Sequence, residues 1–180
     1  DANSKFNLEP DEEQGEFYLN ATAITEHRSN VSKIAWLELN TRPDLTICTN
    51  LIQTTVSKPT NAHAAMVKRV SRCIKGTVGK KLTYHRKKQD EPDVPQMVGF
   101  ADASHNSEPN GKSRTGTVLF LAGAAFSWRS TRQKTPALST AEAEIAALCD
   151  LSRDVQYFRN LLSEMQLKQE ITNVFEDCQP

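Results

Sequence analysis

One long segment near the end of the sequence constrains the fold more than any other feature. Ser139 and Glu142 form a capping box, a pair that satisfies free amide groups at the start of a helix. Apolar side chains then recur at steps of three and four, which predicts an amphipathic helix over residues 139–165. The predicted apolar stripe consists of Ile145, Leu148, Leu151, Val155, Phe158, Leu162 and Met165. Glu144 lies beside this stripe, where a carboxylate is costly unless a cation meets it.

Four short segments with the composition of β-strands surround this helix. Residues 97–101, 115–121 and 124–129 precede it, and turn-forming residues separate them. Because short connections join antiparallel neighbours, we expect these three strands to be antiparallel. Residues 171–175 follow the helix, which allows this fourth strand to return parallel to the first. The predicted fold class is therefore α/β with a mixed sheet.

Three acidic residues are expected to meet at one edge of this sheet. Asp102 and Asp177 follow the first and fourth strands, and Glu144 begins the crossover helix. Converging carboxylates raise one another's pKa values unless divalent cations neutralise them. Oxygen ligands without His or Cys favour Mg²⁺ or Mn²⁺ over zinc. Taken singly, each acid also fits an ordinary structural position at a strand end or helix start.

The first half of the sequence carries helical patterns. Three helices are predicted: one over residues 25–39, a second that begins with Asp44 as its cap, and a third over residues 61–74. Residues 78–84 are predicted to form a short strand or an extended exit from the third helix. The predicted inward-facing residues are Val31, Ile34 and Leu37 or Trp36 in the first helix, Leu45, Cys48, Leu51, Ile52 and Val56 in the second, and Ala65, Met66, Val70 and Cys73 in the third.

These patterns divide the chain into four parts. Residues 1–24 are polar and acidic and predict a loosely ordered lead-in. Residues 25–84 form the helical segment, and residues 85–95 are polar and contain proline, as is typical of a linker between domains. Residues 96–180 form the α/β domain, whose sheet we expect to be incomplete at its C-terminal end.

The charges balance overall but are unevenly distributed. The chain has 22 basic and 22 acidic residues, so net charge does not indicate a nucleic-acid partner. Residues 68–88 nevertheless carry nine basic residues and no acid, a pattern that suits phosphate. The candidate phosphate contacts on the third helix are Lys68, Arg69, Arg72 and Lys75. A solvated helix face followed by a loop explains the same pattern equally well.

The cysteines and the hydropathy of the sequence indicate in which cellular compartment the protein is expected. Cys48, Cys73, Cys149 and Cys178 show no CxxC spacing, so reduced thiols are expected rather than a zinc or redox site. The sequence has no signal peptide and no apolar run long enough to span a membrane. We therefore expect an intracellular protein of the cytoplasm or nucleus, and the ends of the sequence indicate a piece of a longer polyprotein.

Several motifs resemble one family of polyproteins in the same order and spacing. Residues 100–104 (FADAS) resemble the first-strand aspartate motif of ribonuclease H. Residues 127–134 (SWRSTRQK) and 137–144 (ALSTAEAE) resemble a block of Ty1/copia-type retrotransposon polyproteins. The segment that ends the reverse transcriptase of those elements is similar to TRPD at 41–44, SKPT at 57–60, His63, KRV at 68–70 and KGT at 75–77. The resemblance extends over about residues 26–179.

This resemblance implies a ribonuclease H-like domain preceded by a thumb-like or connection segment of a reverse transcriptase. Asp102, Glu144 and Asp177 would be the catalytic acids that bind Mg²⁺ or Mn²⁺. The expected partners are an RNA–DNA hybrid or primer-template and the rest of the Pol polyprotein. Ser104 is a further candidate contact to the RNA strand, although satisfaction of the strand end explains it equally well. Glu142 is explained by capping alone.

Departures from the family pattern leave two functions open. Ser104, His105 and Asn106 stand where the family has a second acid and a Trp, and Cys178 replaces a usual Asn or Ser. His105 is either a general base or simply a solvated loop residue. The chain lacks the polymerase YxDD motif, and it ends before the family's fourth acid. The first hypothesis is a two-metal endonuclease that we expect to be weak at most when residues 96–180 stand alone. The second is an inactive, decayed remnant that retains at most nucleic-acid binding.

Overall fold

Among the described residues, helices dominate the first half of the chain, and a sheet with one long helix dominates the second. The computed structural model describes residues 19–86, 94–108 and 111–177. The chain divides into two compact units, residues 1–80 and 81–180. Most of the expected lead-in and linker lies outside the described residues, so their predicted character is untested.

The described part of the first unit contains three α-helices. They are α1 (Ala21–Thr41), α2 (Thr46–Gln53) and α3 (Asn61–Gly76), and a 3₁₀ turn (Pro43–Leu45) precedes α2. Their shared core consists of Val31, Ile34, Ile52, Val67 and Val70. A capping box begins α3, in which Thr60 and His63 each accept a hydrogen bond from the other's backbone amide. This cap gives His63 a local structural role in the motif that contains it.

Four details of this unit differ from the sequence predictions. The first helix begins at Ala21, within the expected lead-in. Asp44 does not cap α2, because its carboxylate instead accepts hydrogen bonds at 2.8 and 2.9 Å from the guanidinium of Arg42. Ala65 and Cys73, predicted to face inward, are exposed, since Val67 and Val70 place the buried side of α3 elsewhere on its circumference.

The second unit contains a mixed four-stranded sheet. Its strands are β1 (Val98–Ser104), β2 (Arg114–Leu121), β3 (Ala124–Arg132) and β4 (Asn173–Phe175). Their spatial order is β3-β2-β1-β4; β1, β2 and β3 are antiparallel neighbours, and β4 lies parallel to β1. The predicted α/β class and strand arrangement are confirmed. The short strand considered for residues 78–84 does not form.

Helix α4 (Thr140–Glu164) connects β3 to β4 and packs on the sheet through small and apolar residues. Ala143, Ala147 and Leu151 are fully buried, and Gly99 of β1 leaves room for Leu151, since a Cβ there would lie 3.2 Å from its side chain. Leu151 and Leu162 of the predicted stripe are buried, but Ile145 and Met165 are about 60% exposed. The prediction that Ile145 is buried is wrong. An α-helix turns by 100° per residue, which places Ile145 nearly opposite the buried Ala147.

The described residues also test the predictions about reduced cysteines and membrane-spanning segments. Cys48, Cys73 and Cys149 are free. No helix among the described residues has both the length and the apolarity of a membrane span.

Candidate metal centre

The three predicted acids come from three different elements. Asp102 lies inside β1, where it pairs with Gly116, because the strand continues to Ser104 instead of ending at residue 102 as predicted. Asp177 follows β4, and Glu144 stands in the first turns of α4. The parallel pairing of β4 with β1 brings Asp177 to the same edge as Asp102.

The structure brings these three carboxylates together. One oxygen from each of Asp102, Glu144 and Asp177 lies within 4.8 Å of the others. Glu144 is buried, whereas the two aspartates are exposed. The cluster therefore has a closed side at the helix and an open side that faces solvent.

The N-terminal cap of α4 fixes where Glu144 stands. The Ser139 hydroxyl accepts a hydrogen bond from the amide of Glu142 at 3.2 Å, which is the predicted cap. The carboxylate of Glu142 accepts from the amide of Leu138 at 2.7 Å, one residue earlier than in an ideal capping box. Both contacts satisfy amides at the helix start, so Glu142 has a structural role, as the sequence indicated.

Glu144 is electrostatically unfavourable in the absence of a cation. Burial, followed by the negative charge of Asp102 and then of Glu176, raises its pKa, and a backbone hydrogen bond from Ala103 opposes this shift. Its Oε2 atom is buried and has no hydrogen-bond partner among the described residues. A buried acceptor without a partner costs free energy, as does an ionised carboxylate beside others.

This donor set fits a hard divalent cation. Three carboxylates supply oxygen ligands only, which suits Mg²⁺ or Mn²⁺. The unpartnered Oε2 of Glu144 offers a ligand atom whose burial a cation would compensate. The residues present therefore fit the metal that the sequence predicted.

We expect Glu144→Gln to stabilise the metal-free protein at neutral pH. A carboxyl group whose pKa is raised on folding costs stability as pH rises from its ordinary value of 4.5 through the folded-state pKa. The amide removes this cost, so the gain in melting temperature should be small below pH 4.5 and largest near pH 7. Thermal unfolding in EDTA across this range measures it, and a melting temperature at pH 7 equal to or below that of wild type would contradict it.

Two other predicted residues lie near the end of β1. Ser104 is exposed and is the last residue of β1. His105 is half-buried, and its Nε2 donates a hydrogen bond to the Ala137 carbonyl at 3.1 Å. This contact ties the end of β1 to the segment before α4, so His105 is a partly solvated loop residue with a structural hydrogen bond.

The predicted phosphate contacts lie in the first unit. Lys68, Arg69, Arg72 and Lys75 are exposed on α3. Their spacing places them on the side of the helix away from the buried Val67 and Val70. The structure thus provides a basic helix face, and its role in binding stays a prediction.

A charge cluster around a buried glutamate, which the sequence did not predict, lies at the β1–β2 loop. Glu108 is 7% exposed and accepts hydrogen bonds from Arg114 at 2.6 Å and from Arg132 at 3.1 Å. Burial alone would raise the pKa of Glu108, but these two guanidinium groups outweigh it and lower the pKa. The three residues come from a loop and two strands, so no local motif could reveal them.

Comparison with known proteins identified several relatives. The chain is 30% identical over 154 residues to the retrovirus-related Pol polyprotein from transposon TNT 1-94 of Nicotiana tabacum, covering 85% of this chain and 11% of that protein. It is 32% identical over 101 residues to the transposon Ty1-LR3 Gag-Pol polyprotein of Saccharomyces cerevisiae, covering 56% of this chain and 6% of that protein. The chain thus spans only a small part of these polyproteins.

A third relative is much shorter. The secreted RxLR effector protein 161 of Plasmopara viticola is 32% identical over 127 residues, which cover 70% of this chain and 86% of that protein. No family model and no solved structure matches the chain.

Proposed function

Because the chain belongs to the Ty1/copia-type retrotransposon Pol polyproteins, we propose that its second unit is a ribonuclease H-like domain. This domain hydrolyses the RNA strand of an RNA–DNA hybrid. The first unit corresponds to the thumb-like or connection segment of the reverse transcriptase. The chain acts as part of the polyprotein, in the cytoplasm or nucleus.

The meeting of three carboxylates from separate elements carries this proposal. Asp102, Glu144 and Asp177 would hold two Mg²⁺ or Mn²⁺ ions. Bound there, the ions supply an activated water and stabilise the oxygen that leaves the scissile phosphate. The exposed Asp102 and Asp177 leave the cluster open to a phosphodiester, while the buried Glu144 closes it from behind.

The remaining residues supply binding. The cations of α3 would contact backbone phosphates without reading sequence. At the end of β1, the exposed hydroxyl of Ser104 is available to a 2′-hydroxyl, the group that distinguishes RNA from DNA. The substrate class that follows is a hybrid duplex recognised by its shape.

The alternative function is a catalytically inactive remnant that retains nucleic-acid binding. The exposed basic face of α3 supports it, since phosphate contacts need no metal. The similarity to a short protein named as an effector also supports a role for such a segment outside a polyprotein.

Cleavage of a labelled RNA–DNA hybrid by the purified chain tests the proposal. We expect RNA-strand products in Mg²⁺ or Mn²⁺, none in EDTA, and no cleavage of duplex DNA. Salt-sensitive binding of the hybrid without cleavage in either metal would reject the endonuclease and favour the remnant. Absence of both binding and cleavage would reject both functions for this chain.

A further inference from the structure

We infer that Gln133 is a positioning residue for this metal centre. Its side-chain amide holds the first turn of α4 against β2, which keeps Glu144 close to Asp102 and Asp177. The inference rests on the proposed function, because it assigns Gln133 a task in the same site. The hydrogen bonds of Gln133 go to Ser113, Thr115 and Ala143, so it acts on the carboxylates through the backbone that carries them.

The contacts of Gln133 connect three segments. Its amide N–H donates to the Ser113 carbonyl at 2.8 Å, which extends the pairing of β2 and β3 by one residue. Its Nε2 donates to the hydroxyl of Thr115 at 3.1 Å and to the carbonyl of Ala143 at 2.9 Å. Ser113, Thr115 and Ala143 are each 0% exposed, so water has little access to compete for these acceptors.

The same hydrogen bonds connect Gln133 to the residues next to two of the carboxylates. Thr115 lies opposite Ala103 in the β1–β2 ladder, and the backbone of Ala103 makes a hydrogen bond to the carboxylate of Glu144. Ala143, which Gln133 holds, directly precedes Glu144, just as Asp102 directly precedes Ala103. The amide of Gln133 therefore sets the separation between the strand and the helix that carry two of the three acids.

Such a connection is needed because the acids repel one another. Asp102, Asp177 and the buried Glu144 are mutually unfavourable before a cation binds. The two N–H groups on Nε2 of Gln133 let one nitrogen donate to both a hydroxyl and a carbonyl. Without that amide, the start of α4 is free to move away from β1, and cation binding must then restore the geometry at a cost in affinity.

Mn²⁺ binding to the full chain, followed by electron paramagnetic resonance, tests the inference without using activity. We expect Gln133→Met, which keeps the side-chain length and removes both donors, to raise the Mn²⁺ dissociation constant by about tenfold or more, as for other residues that orient metal ligands. Gln133→Asn, which keeps the amide but is one methylene shorter, should weaken binding similarly. Gln156→Met is the matched control, because this exposed residue of α4 lies about 18 Å along the helix from Glu144.

The outcomes separate this inference from the proposed function. Weaker Mn²⁺ binding in both Gln133 variants, with the affinity of the Gln156→Met control unchanged, supports the positioning role of Gln133. An unchanged Mn²⁺ affinity in either folded Gln133 variant, even with a lower melting temperature, would overturn it while leaving the metal centre in place. If wild type binds no Mn²⁺, or Glu144→Gln leaves binding unchanged, the carboxylate centre itself is wrong and the inference fails with it.

Discussion

Asp102→Asn should lower the rate of RNA-strand cleavage by more than about 100-fold. Replacement of residues that merely orient metal ligands costs about 10- to 100-fold in affinity or activity, and a ligand itself should cost more. Asp102 is exposed within β1, so the substitution changes the charge of the cluster with little effect on the core. Single-turnover cleavage of a labelled hybrid in Mg²⁺ measures the effect.

Glu164→Gln is the control for this experiment. Glu164 is an exposed acid at the far end of α4, about 30 Å along the helix from Glu144. The Glu164→Gln variant should cleave the hybrid at the wild-type rate. The Asp102→Asn variant should still bind the hybrid, since the basic face of α3 is intact. A wild-type chain that is active while Asp102→Asn retains more than a tenth of its rate would remove Asp102 from the catalytic centre.

The sheet of the second unit was predictable because its determinants are local. Short turns favour antiparallel neighbours, and the long helix from Ser139 allows the chain to return parallel to the first strand. The observed parallel pairing of β4 with β1 agrees with that expectation, whereas its register, in which Val98 pairs with Asn173 and Phe100 with Phe175, was not predicted. The family resemblance rests partly on segments of this unit, at residues 100–104, 127–134 and 137–144, and the Pol polyprotein relatives confirm it.

The errors arose where one side chain had two possible partners. Asp44 is a good capping residue by type, but Arg42 competes successfully for its carboxylate. Ile145 fits a step of three to Leu148, yet the close approach of α4 to the sheet selects Ala143 and Ala147 for the interface. Periodicity indicates that a helix has an apolar side, but it does not tell which of two adjacent stripes is buried.

The convergence of the acids was predictable from topology, whereas their environment was not. Strand order places Asp102 and Asp177 at one edge. The buried state of Glu144 and its unpartnered oxygen depend on how α4 sits over β1 and β2, which only tertiary structure determines. The contacts of Gln133 are equally non-local, although the residue lies within the family motif at residues 127–134.

Arg114→Met is expected to lower the free energy of unfolding by about 3 kcal/mol, the range for breaking a buried ion pair on one side. The Arg114 and Glu108 side chains are 9% and 5% exposed, whereas that of the second partner, Arg132, is 42% exposed. Loss of Arg114 leaves the buried carboxylate with a single, partly solvated cation. Urea unfolding at pH 7 measures the change.

A double-mutant cycle shows whether the buried charge is the cause. Glu108→Gln added to Arg114→Met removes the uncompensated carboxylate, so the double variant should be more stable than Arg114→Met alone. Arg153→Met, which breaks an exposed pair with Asp150 on α4, is the control and should cost less than about 1 kcal/mol. A loss with Arg114→Met no larger than this control would show that the cluster contributes little.

The pH dependence of unfolding of the same variants gives an independent check on whether the charge of Glu108 causes the loss of stability. Arg132 and Arg114 lower the pKa of Glu108, so its stabilising effect is fully present above its ordinary value of 4.5 and is lost as pH falls through the folded-state pKa. Protonation of Glu108 also removes the penalty in Arg114→Met, since no buried charge then lacks its partner. The stability difference between wild type and Arg114→Met should therefore shrink on acidification below pH 4.5, and a difference that stays constant would point to lost packing of the arginine side chain instead.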